Sequence, residues 1–170
     1  MHLMPTERKY ILDETAAAVK MERMAYEIAE QLVGEEGELI LAGIRDNGVV
    51  MAHTLAKLLE KICGRPSRIL EISLDKRHPG AITLNERPSF DNALIILIDD
   101  VVNSGKTLLY ALKPFLEDHP RRIQVLTLVE RTHKAFPVNA DYVGVSIATT
   151  LQEHIFVEVE GDRITGAYLE

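Results

Sequence analysis

The sequence predicts an α/β protein with a central, mostly parallel sheet flanked by helices. Short apolar runs alternate with segments whose apolar residues recur every three or four positions, as strands alternate with helices in such folds. The runs are also continuously apolar, which is typical of strands buried on both faces. With 46% apolar and 26% charged residues among 170, the chain can bury a full core, and we expect one domain over residues 1–170.

Local signals predict each element in chain order. The first helix is expected over residues 13–33, with Asp13 as its N-cap and Gly34 just past its end. A second helix is expected over 48–62, where apolar residues recur at helical spacing, and a third over about 106–116. The strands are expected at Leu39–Ile44, 68–74, 93–98, 123–129, Tyr142–Ile147, 154–159 and Arg163–Leu169.

Two connections between these elements are informative. The last two strands are joined by Glu160-Gly161-Asp162, a hairpin-type turn. The segment 75–91 is polar and contains Pro79, Gly80 and Pro88, so we expect a long loop there. Loops of this length without secondary structure are uncommon and often act as lids or binding loops.

The composition excludes several classes of protein. A net charge of -7 argues against a domain that binds nucleic acid strongly, because such domains are usually basic. The single cysteine, Cys63, cannot form an internal disulfide. No segment approaches the roughly 18 apolar residues of a membrane span, and the N-terminus has no secretory signal. We therefore expect a cytoplasmic protein without a membrane partner.

The segment 93–107, which reads ALIILIDDVVNSGKT, indicates the chemistry most directly. Its apolar strand ends in two carboxylates, Asp99 and Asp100, at the edge of the sheet where ligands bind in α/β folds. Burying such a pair without partners is costly, so both should face solvent or a ligand. Small polar residues then lead into a helix, whose N-terminus favours an anion. Carboxylates for vicinal hydroxyls beside an anion pocket suit a ribose phosphate.

The residues predicted to hold the ribose phosphate are Asp99, Asp100, Val101, Val102, Asn103, Ser104, Gly105, Lys106 and Thr107. A nucleotide-triphosphate loop is excluded, because that motif needs a glycine where Asp100 stands. A receiver domain would need a second acidic cluster after the first strand, where only Asp46 is present. A plain acidic strand end followed by a capped helix stays open from these residues alone.

The same segment resembles the phosphoribosyl-diphosphate signature of type I phosphoribosyltransferases. That signature has four apolar residues, two acidic ones, two variable positions and then Thr or Ser before Gly, and Ser104 stands here where Thr is usual. The stretches ILDETAAAVKMERMAYEIAE, LAGIRDNGVVMAHTLAKLLE and VLTLVERTHKAFPVNADYVGVSIATT are similar to the pyrimidine-operon regulator/uracil phosphoribosyltransferase family. The likeness covers nearly the whole chain.

This resemblance implies the type I phosphoribosyltransferase fold, with a small C-terminal hood of short strands. It implies a pentosyltransferase of pyrimidine salvage that uses phosphoribosyl diphosphate and Mg²⁺ to convert uracil to UMP, and a homodimer or higher homo-oligomer. Two alternatives remain: a pyrimidine-nucleotide-sensing regulator that binds UMP or RNA with little catalysis, and a purine-type phosphoribosyltransferase. RNA binding is disfavoured, since the first helix carries Glu22, Glu27 and Glu30 against Lys20 and Arg23.

The resemblance also assigns roles to residues of this chain. The pyrophosphate would be bound by Ile44, Arg45, Asp46, Asn47 and Gly48. The catalytic residues would be Asp99, Asp100 and Arg131, with Asp99 and Asp100 also placing the metal ion. The base would be framed by Val143, Gly144, Val145 and Ile147, mostly through backbone groups. Lys76, Arg77 and His78 are the basic group of the flexible loop, which is shorter than in the family, so we expect altered lid closure.

Overall fold

A computed structural model describes residues 7–75, 77–78, 80–150 and 152–170. The strands in this part of the chain are β1 (Lys9–Asp13), β2 (Leu39–Ile44), β3 (Arg68–Ser73), β4 (Thr83–Leu84), β5 (Leu94–Val102), β6 (Arg122–Arg131), β7 (Tyr142–Ile147), β8 (Ile155–Glu160) and β9 (Arg163–Leu169). The helices are α1 (Glu14–Leu32), α2 (Asn47–Cys63), α3 (Lys106–Ala111) and a 3-10 helix (Lys113–Glu117). None of the described helices is long and apolar enough to cross a membrane.

The larger sheet has six strands in the order β4-β3-β2-β5-β6-β7. All neighbouring pairs are parallel except β3 and β4, which are antiparallel at one edge. The predicted fold class, a mostly parallel sheet flanked by helices, is thereby confirmed. Strand β5 lies in the middle of this sheet, so its carboxyl end lies between the ends of β2 and β6.

The two faces of β5 belong to separate apolar cores. Ile96 and Ile98 pack in the core that includes the buried faces of α1 and α2. Ile95 and Leu97 point to the opposite face and pack in a core that includes Phe115 of the 3-10 helix. Because both faces are covered, the strand must be apolar at every position, and this explains the continuous run in the sequence.

The first helix begins and ends close to the predicted residues. The side chain of Asp13 accepts a hydrogen bond from the backbone N–H of Ala16 at 2.7 Å, so Asp13 is the N-cap as expected. The helix ends at Leu32, one residue before the predicted end. At the end of α2, Gly64 adopts the left-handed conformation that favours glycine.

The hood is a separate antiparallel sheet in the order β1-β9-β8. The predicted hairpin of β8 and β9 is present, with Gly161 at positive φ in its turn. Strand β1 was not predicted, because five residues before a helix carry little periodic signal. Its pairing with β9 joins the N-terminal segment to the C-terminal hairpin.

Three predicted boundaries were wrong. Strand β5 continues to Val102, because its ladder with β6 extends past the acidic pair. The third α-helix stops at Ala111 and continues as a 3-10 helix, since Pro114 has no N–H for an α-helical hydrogen bond. The expected loop 75–91 contains strand β4, which pairs with β3, and Phe90 in its last part is fully buried.

Tyr142 belongs to a small cluster of hydrogen-bonded polar side chains next to the apolar core. Its ring is buried, and its hydroxyl lies 2.9 Å from Oε1 of Gln31 and 2.8 Å from Oε1 of Gln124. The Nε2 of Gln124 donates to the same oxygen of Gln31 at 2.7 Å. Burial raises the pKa of Tyr142 to about 12. This network ties the end of α1 to strands β6 and β7.

Replacing Tyr142 with phenylalanine is expected to lower the free energy of unfolding by about 0.5–1.5 kcal/mol, because the hydroxyl loses its hydrogen bonding to Gln31 and Gln124. The folded-state pKa lies above the ordinary value, so in the wild type this tyrosine makes stability fall between about pH 10 and pH 12. Thermal melts at pH 9 and pH 11 should therefore show a smaller drop for the variant. An equal drop in both proteins would contradict the assignment.

Candidate active site

The acidic pair lies at the carboxyl end of β5, as predicted. Asp99 is 2% exposed, and its Oδ1 accepts the backbone N–H of Asp100 at 2.9 Å. Asp100 is half-buried, and its Oδ1 accepts the N–H of Val101 at 2.8 Å. The buried hydroxyl of Thr127 lies 3.2 Å from the carbonyl oxygen of Asp100. These contacts fix the backbone around both carboxylates before any ligand arrives.

The loop after β5 forms a small cavity of about 70 Å³. It is lined by Asp99, Val101, Val102, Asn103, Ser104, Gly105, Lys106, Thr107 and Leu108. The carbonyl of Ser104 accepts the N–H groups of Ala135 and Phe136, both at 3.0 Å, so the segment after β6 braces the loop. Gly105 has a φ of 86°, and a Cβ there would lie 3.3 Å from the carbonyl of Phe136. The predicted ribose-phosphate residues thus share one concave loop, except that Asp100 lies outside its lining.

The loop after β2 owes its shape to two glycines that permit close packing. A Cβ on Gly43 would lie 2.5 Å from the carbonyl oxygen of Gly48, and a Cβ on Gly48 would lie 2.5 Å from that of Ile98. The first turn of α2 therefore rests directly on the backbone of β2 and β5. These two glycines therefore let a helix approach the sheet more closely than any side chain would allow.

Arg45 and Asp46 are the exposed part of this loop. The N–H of Arg45 donates to the carbonyl of Ile72 at 2.9 Å, while the guanidinium is 57% exposed and lies 3.5 Å from the carboxylate of Asp46. The peptide bond between the two residues is cis. An exposed guanidinium at the same sheet edge as the acidic pair is suitably placed for a phosphate. Ile44 is buried at the end of β2.

Asn47 connects the two loops. Its Nδ2 donates to Oδ2 of Asp100 at 2.9 Å and to the carbonyl of Val157 in β8 at 3.0 Å. The predicted pyrophosphate loop and the predicted ribose loop are therefore in direct contact, and the hood touches both.

A second cavity, of about 430 Å³, adjoins the loop after β5. Its described lining is Asn103, Ser104, Arg131, His133, Ala135 and His154. Asn103 and Ser104 also line the smaller cavity, so the two are neighbours. His154 was missed from the sequence, because it reads only as the start of a strand and nothing local links it to the loop after β5.

Arg131 turns towards the connection between β7 and β8. Its two terminal nitrogens donate to the carbonyls of Thr150 at 3.2 Å and Glu153 at 2.7 Å. Glu130 is ion-paired with Lys134 at 2.5 Å. Arg131 therefore lines the larger cavity and also holds the segment just before His154 in place. A catalytic role for Arg131 stays a prediction.

The residues predicted to frame the base are not in the described lining of this cavity. The carbonyls of Val143 and Gly144 accept the guanidinium of Arg23 at 2.8 and 2.9 Å. The carbonyl of Ile147 accepts the N–H of Thr132 at 3.0 Å. These three backbone acceptors already have protein partners. Val145 is partly exposed on the same strand.

The predicted flexible loop is described only in part. Lys76 lies outside the described residues. Arg77 and His78 are exposed, and the N–H of Arg77 donates to the carboxylate of Asp75 at 2.9 Å. Because β4 pairs with β3 and Phe90 is buried, the later part of the loop is anchored to the domain.

The carboxylates present fit the magnesium ion that the resemblance implies. Within the described ranges, no group of three or more His, Cys, Asp or Glu side chains is placed to hold a metal ion. Mg²⁺ is usually bound by one or two carboxylates together with substrate phosphates, and it keeps several waters. Asp99 and Asp100 are two such carboxylates, and they lie next to the loop after β5 that is predicted to bind phosphate.

Comparison with known proteins agrees with this geometry. The family profile described as "Phosphoribosyl transferase domain" matches residues 7–160. The chain is 34% identical over 173 residues to the "Bifunctional protein PyrR" of Pelotomaculum thermopropionicum, covering 94% of this chain and 95% of that protein. It is 31% identical over 166 residues to the protein of the same name from Bacillus subtilis, covering 91% of each.

Solved structures show the same fold. The hypoxanthine phosphoribosyltransferase of Trypanosoma cruzi superposes with a TM-score of 0.78 at 19% identity, covering 95% of this chain and 97% of that one. A second structure of that enzyme, in complex with the product IMP, gives the same TM-score at 16% identity over 98% and 97% of the two chains. The chain therefore belongs to the phosphoribosyl transferase domain family, has the type I phosphoribosyltransferase fold, and groups with the bifunctional PyrR proteins.

Proposed function

We propose that the protein transfers ribose 5-phosphate from phosphoribosyl diphosphate to uracil, giving UMP and pyrophosphate. One observation carries the proposal: the acidic pair, the phosphate-sized loop cavity and the Arg45 loop meet at one sheet edge and are joined by the bond between Asn47 and Asp100. A ligand with two vicinal hydroxyls, one phosphate and one pyrophosphate matches that set of groups.

The reaction needs positioning more than it needs a nucleophilic side chain. The bond between the ribose C1 and a pyrophosphate oxygen breaks, a bond from C1 to a ring nitrogen of uracil forms, and the proton of that nitrogen leaves to solvent. Asp99 and Asp100 accept the ribose hydroxyls and hold C1 towards the base. The guanidinium of Arg45 stabilises the negative charge that develops on the leaving group. Held beside Asp99 and Asp100, Mg²⁺ would supply further positive charge to the pyrophosphate.

The larger cavity is the proposed base site. It shares Asn103 and Ser104 with the smaller cavity of the loop after β5, so a base bound there would be next to a ribose 5-phosphate in that loop. The imidazoles of His133 and His154 and the amide of Asn103 offer hydrogen-bond donors to the two carbonyl oxygens of uracil. The likeness to the pyrimidine regulators supports the choice of a pyrimidine.

A panel of bases tests the substrate. The protein is incubated with phosphoribosyl diphosphate, Mg²⁺ and one of uracil, cytosine, orotate, hypoxanthine or guanine, and nucleotide products are separated by chromatography. We expect UMP with uracil and at least a tenfold lower kcat/KM for the others, since leaving buried polar groups of the site unpaired costs about 1–3 kcal/mol, or roughly 5- to 150-fold in rate. Turnover of a purine or orotate, but not of uracil, would contradict the substrate and leave the transferase reaction in place.

A second candidate is a regulator that binds UMP with little catalysis. The specific observation in its favour is the anchored loop: with β4 paired and Phe90 buried, the segment that could cover the active site is short. Binding of UMP by calorimetry together with no product from any base would favour it. Binding of RNA in the same assays would extend it, although the net charge of -7 makes phosphate attraction weak.

A further inference from the structure

We propose that Asn47 is a positioning residue, which ties Asp100 to strand β8 of the hood and does not bind pyrophosphate through its side chain. The inference rests on the proposed function, because it concerns how ribose and base are held in the same site. It changes the role that the sequence suggested for this residue.

The hydrogen bonds of Asn47 leave it no donor for a ligand. Its amide has two N–H groups, and both are used, by Oδ2 of Asp100 at 2.9 Å and by the carbonyl of Val157 at 3.0 Å. Both partners are acceptors, so only the nitrogen of the amide can face them, and the orientation of the amide follows from chemistry. The remaining group, Oδ1, is an acceptor and would repel the oxygens of pyrophosphate.

The same bond completes the orientation of Asp100. One carboxylate oxygen accepts the N–H of Val101 at 2.8 Å, and the other accepts Asn47. Each oxygen keeps a further lone pair for a ribose hydroxyl. A carboxylate held at both oxygens loses little rotational freedom when the sugar binds, and this favours binding.

The second bond of Asn47 reaches the hood. Val157 lies in β8 and packs in the core shared with Ile98 and the helices α1 and α2. His154, three residues earlier, lines the larger cavity. A shift of this strand when a base binds would therefore be transmitted through Asn47 to Asp100, and base and ribose binding would be coupled.

Assays with UMP and with pyrophosphate distinguish a positioning role of Asn47 from direct binding of pyrophosphate, because UMP has the ribose and the base but no pyrophosphate. For Asn47→Ala we expect UMP binding, measured by calorimetry, to weaken about 10- to 100-fold, as for the loss of a hydrogen bond to a charged group. In the reverse reaction the KM for pyrophosphate should change less than about twofold. Unchanged UMP affinity with a tenfold higher KM for pyrophosphate would overturn the proposal.

Asn47→Asp gives a readout that a merely structural role would not produce. Its carboxylate would lie against that of Asp100, and the repulsion should weaken UMP binding beyond the alanine variant at pH 7.5. A UMP affinity in Asn47→Asp that equals or exceeds that of Asn47→Ala would overturn the proposal.

A control variant and melting temperatures distinguish a specific loss of UMP binding from a loss of the fold. Asn139→Ala, at an exposed asparagine outside both cavity linings, should bind UMP as the wild type does. Melting temperatures of all variants show whether the fold is kept. If the wild type turns over another base instead of uracil, the substrate proposal fails alone, and the Asn47 comparison is made with the monophosphate of that base.

Discussion

Replacing both carboxylates of the acidic pair, Asp99→Asn with Asp100→Asn, is expected to abolish measurable binding of phosphoribosyl diphosphate. In the proposed reaction each carboxylate accepts a ribose hydroxyl in a charge-assisted hydrogen bond, and two such bonds would be worth about 3–6 kcal/mol, which is about 10²–10⁴ in affinity. Calorimetric titration with phosphoribosyl diphosphate and Mg²⁺ measures the effect. The same variant should form no nucleotide.

Both changes are isosteric. An asparagine oxygen at position 99 can still accept the N–H of residue 100, whereas asparagine at position 100 can accept from only one of Val101 and Asn47. The melting temperature of the double variant therefore has to be measured beside its binding. Asp162→Asn, an exposed aspartate in the turn between β8 and β9, is the matched control and should bind as the wild type does. Retained affinity in the double variant would show that the ribose is held elsewhere.

Replacing Gly48 with alanine is expected to damage both the fold and the site. The new Cβ would lie 2.5 Å from the carbonyl oxygen of Ile98, so the backbone of α2 or β5 must move. Overpacking of this kind costs about 1–3 kcal/mol of unfolding free energy, and occasionally more. The shift displaces Asn47 and the Arg45 loop, so we also expect kcat/KM to fall by at least about tenfold, the loss expected from one weakened hydrogen bond to a charged group.

Denaturant unfolding and steady-state kinetics measure the two effects of Gly48→Ala. Gly80→Ala serves as the comparison, because a Cβ there would lie 3.9 Å from the nearest atom found, the carbonyl oxygen of His78, which is an ordinary contact. That control should keep wild-type stability. Wild-type stability in Gly48→Ala would contradict the close packing of α2 on the sheet.

Local sequence features predicted the elements that carry strong local signals. The N-cap at Asp13, the buried strand β2, the strand β7 and the acidic end of β5 each depend on a few neighbouring residues, and each is present in the structure. The fold class followed from their alternation along the chain. The polar loop after β5 is present for the same reason, and its role in binding a ribose phosphate stays a prediction.

The features that the sequence did not reveal depend on contacts between distant residues. The bond from Asn47 to Asp100 spans 53 positions, and the edge strand β1 finds its partner β9 at the other end of the chain. The placement of His154 beside Ser104 depends on how the hood folds over the sheet. Such contacts leave no periodic signal in either segment.

Phosphorus-31 NMR of the wild-type protein with phosphoribosyl diphosphate, Mg²⁺ and uracil tests the central claim most directly. The diphosphate and 5-phosphate signals of the substrate should be replaced by those of free pyrophosphate and UMP, with integrated intensities of two to one because pyrophosphate carries two phosphorus atoms. The Asp99→Asn, Asp100→Asn variant should leave the substrate signals unchanged. Substrate signals that persist with the wild type whichever base is added would contradict phosphoribosyl transfer by this site.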